Sequence, residues 1–144
     1  MTQYCTFVLD GHLFGVPVAS VQEVLRPQGL TSVPLAPEEV SGLINLRGQI
    51  VTAIDLRARL GLTSRDVGAP AVFVVVRTSD GGAVSLIVDE IGDVLEPSTE
   101  AFEATPETVP AVIRSLLTGV CKLDGELMLA LDTELASTLA GEAA

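Results

Sequence analysis

GHLFGVPVASVQEVLRP (Gly11–Pro27) lies without a gap over GGAVSLIVDEIGDVLEP (Gly81–Pro97), and this alignment of the chain with itself decides how the fold is read. Val18/Val88, Val24/Val94, Leu25/Leu95 and Pro27/Pro97 coincide, while Val21/Ile91 and Glu23/Asp93 keep their chemistry. A second pair of blocks follows in the same order: GLINLRGQIVTAID (Gly42–Asp55) over GVCKLDGELMLALD (Gly119–Asp132), sharing Gly42/Gly119, Leu46/Leu123, Gly48/Gly125, Ala53/Ala130 and Asp55/Asp132. One such match among Val-rich strands would be weak, but two in order point to an internal duplication. The offset is 70 residues in the first block and 77 in the second, which places seven extra residues within 98–118. The expectation is one domain over 1–144, built from similar β subdomains at about 1–66 and 71–138, with a frayed tail at 141–144.

The elements follow from spacing. Tyr4–Leu9 and His12–Val16 flank the turn Asp10-Gly11 and read as a hairpin. Val18, Val21, Val24 and Leu25 fall on one helical face ahead of Pro27, so a short helix or helical turn is predicted there. Residues 28–41 read as loop with one short strand. Leu43–Leu46 and Gln49–Ile54 are strands about Arg47-Gly48, and Asp55 can cap a helical turn at Leu56–Leu60. In the second half, Ala71–Thr78 pairs with Ala83–Val88, and Leu117–Leu123 with Glu126–Leu131 about Asp124-Gly125. The unbroken apolar run Ala71–Val76 is too short for a buried helix and suits a strand covered on both faces. Asp132–Leu139 can form a terminal helix.

Composition narrows the function. The chain is 48% apolar with four Phe, one Tyr and no Trp, so its core is built of branched aliphatic residues that favour strands. No apolar run exceeds the six residues of Ala71–Val76, and the start has no basic n-region or apolar h-region, so a cytoplasmic protein with no membrane insertion is expected. Net charge is −11, and residues 73–144 hold three basic and thirteen acidic side chains. Nucleic acid and anionic lipid both need clustered Lys and Arg, so neither is an expected partner.

Catalysis has little to work with. No GxSxG, Walker loop or HExxH occurs. Asp89 and Glu90 are neighbours on an extended segment and point to opposite faces, which argues against a carboxylate pair. His12 sits beside the Asp10-Gly11 turn, and Cys5 and Cys121 sit alone in apolar runs, so no catalytic residue, metal site or cofactor is expected. Glu23 falls between Val21 and Val24, and Arg47 stands at the tip of Asn45-Leu46-Arg47-Gly48. On residues alone Arg47 reads equally as a solvated turn arginine or as a contact.

Val21-Gln22-Glu23-Val24-Leu25-Arg26-Pro27, Gly42–Val51 with its Asn45-Leu46-Arg47-Gly48 turn, Ile54-Asp55-Leu56-Arg57, Leu86-Ile87-Val88-Asp89-Glu90 and Gly119–Gly125 together resemble the CheW family, in order and across almost the whole chain. The resemblance implies an all-β fold of two intertwined five-stranded barrels with short helices. It implies a non-enzymatic chemotaxis adaptor, monomeric when free and recruited to membrane-associated receptor arrays, that couples the cytoplasmic tip of a methyl-accepting chemoreceptor to the regulatory domain of the histidine kinase CheA. The receptor groove of the family corresponds to Val21, Glu23, Arg47, Phe73 and Val74. Kinase contacts are expected at Val24, Leu25 and Arg26 and in the loop carrying Glu103 and Thr108. A detached CheA-like regulatory domain, or an adaptor of a non-flagellar chemosensory pathway, is the nearest rival reading; a small β enzyme using Asp89, Glu90 or His12 and a purely structural barrel are the others.

Overall fold

The computed structural model describes residues 2–138, so the tail expected to fray at 141–144 lies outside the described residues. Eleven strands are described, and the first half holds five of them: β1 (Tyr4–Leu9), β2 (His12–Pro17), β3 (Val21–Leu25), β4 (Val40–Leu46) and β5 (Gln49–Asp55). They are followed by the helical turn α1 (Leu56–Arg59). The second half holds β6 (Val72–Arg77), β7 (Ala83–Val88), β8 (Glu90–Leu95), β9 (Phe102–Glu103), the turn α2 (Ala111–Arg114), β10 (Leu117–Leu123), β11 (Glu126–Leu131) and α3 (Thr133–Ser137). Asp55 and Asp132 cap α1 and α3 through their carboxylates, which accept from the backbone N–H groups of Arg57 and Leu135.

The strands form two sheets, in the orders β8-β1-β2-β11-β10-β9 and β3-β6-β7-β5-β4. Replacing each strand by its duplicate turns the first five positions of one order into the other, and the parallel pair β2·β11 becomes the parallel pair β7·β5. The duplication is therefore real at the level of topology, with β9 added within the residues where the extra length falls. The halves are intertwined. β3 leaves the first hairpin to pair with β6, and β8 leaves the second to pair with β1. The five-stranded sheet thus runs continuously from Val21 to Val88, nested between the two segments that make the six-stranded one. The division between sheets falls at Ser20/Val21 and at Asp89, and not between 66 and 71.

One expectation fails. Val18–Leu25 is not helical beyond a 3-10 turn at Val18–Ser20; Val21–Leu25 is a strand. The register along β6 slips between Val21 (opposite Val76) and Glu23 (opposite Val75), so Gln22 is an extra residue in the ladder. Such a bulge shifts the alternation by one. Cross-strand partners share a face, so Val21 and Val24 join Val76 and Val74, while Glu23 and Leu25 join Val75 and Phe73 on the other face.

The larger core cluster draws Phe7, Leu9, Phe14 and Val16 from one sheet and Ile54, Val74, Val76, Leu86 and Val88 from the other. A second cluster, with Ile44, Val51, Phe73, Val75 and Ile87, fills the opposite face of the five-stranded sheet. β6 is covered on both faces, as its unbroken apolar run requires. Ser85 lies in this second interior, opposite Val75 and Ala53, fully buried, and its hydroxyl has no partner among the described residues. A buried hydroxyl without a partner is destabilising, so Ser85→Ala is expected to raise the unfolding free energy by about 1 kcal/mol in a urea titration. A loss of stability would show that the hydroxyl has a partner. Cys5 and Cys121 are buried and unpaired, and burial raises the pKa of both thiols.

Candidate functional site

Arg47 owes its position to its turn. Arg47 and Gly48 both have positive φ, 53° and 85°, the geometry whose twist suits a two-residue hairpin. A left-handed arginine is unusual, and the turn is steadied by the Asn45 side-chain oxygen, which accepts from the Gly48 N–H at 2.9 Å. The guanidinium then meets Glu23 as a fork, Nη1 to Oε2 at 2.5 Å and Nη2 to Oε1 at 2.7 Å. The Arg47 side chain is 72% exposed and that of Glu23 18%. Hydrogen bonding to Arg47 holds the Glu23 carboxyl below the usual range, and the same bonds raise the guanidinium.

β3 and β4 are the two ends of the five-stranded sheet and share no ladder. For the β4–β5 turn to reach Glu23 on β3, the sheet must curl until its ends approach. The Arg47–Glu23 fork spans that seam with side chains where backbone pairing stops. Val24 lies on the other face of β3 from Glu23, 42% exposed, and Val21, on that same face, is half-buried against the larger core.

A second charged cluster pins the crossover between the sheets. The Asp89 carboxylate accepts from Arg57 Nε (2.9 Å) and Nη2 (2.6 Å), from Arg65 Nε (3.0 Å) and Nη2 (2.8 Å), and from the Asp10 backbone N–H (2.8 Å). Burial alone would raise this carboxyl; the bonds from Arg57, Asp10 and Arg65 outweigh it and hold it at about 2. Asp89 is thus a strut between the end of β7, the β1–β2 turn and the linker after α1. Glu90 is exposed on the other side, as alternation requires. His12 is exposed, and among the described residues no three His, Cys, Asp or Glu side chains are arranged to hold a metal ion.

The family model of the CheW-like domain matches residues 3–139. The chain belongs to the CheW-like family. The probable chemotaxis protein CheW of Rhizobium etli is 33% identical over 128 residues, 89% of this chain and 82% of the relative. The chemotaxis protein CheW of Treponema pallidum is 27% identical over 134 residues, 90% of this chain and 78% of its own. The crystal structure of the scaffolding protein TtCheW from Thermoanaerobacter tengcongensis superposes with a TM-score of 0.85 at 26% identity, covering 97% of this chain and 90% of that one.

This CheW-like fold unites only part of the expected site. Val21, Glu23, Val24 and Leu25 share β3, Arg26 follows it exposed, and Arg47 joins them through Glu23. Phe73 and Val74 do not reach the surface: they are 3% and 0% exposed, because β6 lies between β3 and β7 with a core on each face. They lie opposite Leu25 and Val24 in the ladder beside β3, with their side chains in the two cores and not at the surface that the groove assignment needs. Glu103 is exposed at the far end of the other sheet, where it pairs with Lys122 at 3.2 Å, and Thr108 is exposed in the loop between β9 and α2. Thr108 lines a groove of about 420 Å³ with His12, Val109, Pro110, Leu127 and Leu129. The Asp89 strut was not foreseen, although Arg57 and Asp89 both stand in motifs that carry the family resemblance. Among the described residues no helix is long and apolar enough to cross a membrane.

Proposed function

We propose that the chain is a non-enzymatic chemotaxis adaptor that couples the cytoplasmic tip of a chemoreceptor to the regulatory domain of CheA. Family membership supports the adaptor role, and the exposed Arg47–Glu23 fork carries the assignment of the receptor contact. A guanidinium has five N–H donors. Two are engaged by Glu23, and among the described residues the rest are unspent. An exposed, pre-oriented cation suits the tip of a helical hairpin, where carbonyl groups are left unpaired at the turn. Glu23 fixes the direction of the guanidinium and serves as its partner. Val24, Leu25 and Arg26 at the edge of β3, and Glu103 on β9 with Thr108 in the loop that follows it, serve the kinase as two separate contacts.

The test is a pull-down with a receptor tip and a CheA regulatory domain presented together, which only an adaptor retains at once. Arg47→Ala is expected to leave the melting curve nearly unchanged and to weaken the assembly at least about tenfold. Arg47→Lys keeps the charge but not the fork, so it should recover only part of the loss. Unchanged assembly rejects the site, and a stability loss that matches the binding loss makes Arg47 part of the scaffold.

A further inference from the structure

β8 ends the six-stranded sheet. It is hydrogen-bonded to β1 along one side and, among the described residues, to nothing along the other. Every residue from Glu90 to Val94 is exposed, Ile91 by 41% and Val94 by 57%, and no proline or lysine interrupts the strand. An open edge presents unpaired N–H and C=O groups that another strand can take up.

The duplicate of β8 shows what is missing. β3 stands at the corresponding end of the other sheet, and its seam is spanned by Glu23 and Arg47. The positions that correspond to Glu23 and Arg47 are Asp93 and Asp124, two carboxylates that cannot pair. Nor does another cation fill the role: residues 78–113 contain eight acidic side chains and no Lys or Arg. Asp89 and Glu103 in that stretch have cationic partners, whereas Glu90, Asp93 and Glu96, on and beside β8, form no ion pair among the described residues. The edge is also two-faced. Ile91 and Val94 lie opposite Phe7 and Cys5 of the larger core, and Glu90 lies opposite Val8 on the outer side.

We propose that β8 is a strand-addition site for an extended, basic segment of a partner protein, one that alternates Lys or Arg with β-branched residues. Main-chain hydrogen bonds along the free side of β8 provide affinity, the cations meet Glu90, Asp93 and Glu96, and the apolar residues cover Ile91 and Val94. A second copy of this chain is a poor occupant, because edge-to-edge pairing would set these carboxylates against their own kind. The site goes beyond the adaptor reading and does not depend on it.

The experiment uses the isotopically labelled full chain alone, titrated with the peptide Lys-Val-Lys-Val-Lys-Val-Lys and, separately, with Glu-Val-Glu-Val-Glu-Val-Glu. The basic peptide is expected to shift the amide signals of β8 and slow their hydrogen exchange, with an affinity that falls as salt rises; the acidic peptide leaves them unchanged. Glu90→Lys combined with Asp93→Lys should weaken the basic peptide at least about tenfold and admit the acidic one. If that variant does not fold, the salt dependence and the acidic control on the natural chain still decide. Equal response to both peptides, a response away from β8, or none overturns the proposal. No receptor or kinase is present, so the outcome is separate from that of the pull-down.

Discussion

Gly42→Ala is expected to lower the unfolding free energy by about 3 kcal/mol, a drop in melting temperature of about 10 °C for a chain of this size. Gly42 has φ +151°, a region that residues with a Cβ rarely adopt, and a Cβ placed there would stand 2.7 Å from the Thr31 carbonyl oxygen and 3.1 Å from Leu30 Cβ. The obstacle is backbone, and it cannot yield cheaply: Thr31 N–H donates to Leu43 O at 2.9 Å, and Leu43 N–H donates to Thr31 O at 2.8 Å. Its duplicate supplies the control. A Cβ on Gly119 would meet the Glu103 carbonyl oxygen at 2.8 Å, yet the φ of Gly119 is not positive. Both glycines also sit at register slips, in β4 and in β10. Gly119→Ala therefore shares the clash without the backbone strain, and its smaller loss, by about 1–3 kcal/mol, measures that strain. Urea titration of the two variants side by side reads the difference. If Gly42→Ala stays within about 0.5 kcal/mol of the natural chain, the close approach of the loop to β4 is not present in solution.

Asp89→Asn is expected to cost about 2 kcal/mol at neutral pH, and the cost should vanish in acid. The Asp89 carboxyl is held at about 2 in the folded chain against an ordinary 3.8. Between those values the unfolded chain binds more protons than the folded one, so acid erodes the contribution: it is complete above about pH 4 and is lost as pH falls through about 2. The Asp89 side chain is 17% exposed, and solvent screening keeps the figure no larger than the linkage shift allows. The stability gap between the two proteins, read from their denaturation midpoints, should fall to about half between pH 7 and pH 3 and close only below about pH 2. A gap that stays constant with pH would mean that the strut acts through shape and not through charge.

These features differ in how openly the sequence displays them. The bounds of Leu117–Leu123 and Glu126–Leu131 are readable to the residue, since two apolar-rich runs meet at the Asp124-Gly125 turn between them. β3 is not, because the bulge at Gln22 breaks the period of two and leaves Val21, Val24 and Leu25 at spacings that imitate a helix. The partnership of Glu23 and Arg47 was within reach, since each is a charge set among apolar neighbours, whereas the Asp89 strut joins residues 24 and 32 positions apart through a linker whose path no local pattern fixes. The groove positions Phe73 and Val74 come from the family resemblance alone, whereas the unbroken apolar run Ala71–Val76 itself points to a strand covered on both faces, which is what the fold shows. The exchange of β3 and β8 is a choice between hairpins of the same duplicated topology, and only long-range packing makes it.

That nesting orders events during synthesis. The five-stranded unit, Val21–Val88, is complete before any later strand emerges, but β1 and β2 are made first and must wait for β8 and β11. At about 5–20 residues per second, the roughly 75 residues between the end of β2 and β8 correspond to a delay of several seconds. Throughout it an apolar hairpin, carrying Phe7, Leu9, Phe14 and Val16 and with both edges free, precedes a unit that is still being made and is complete only at Val88. The nascent chain is thus most exposed to mispairing at its oldest end.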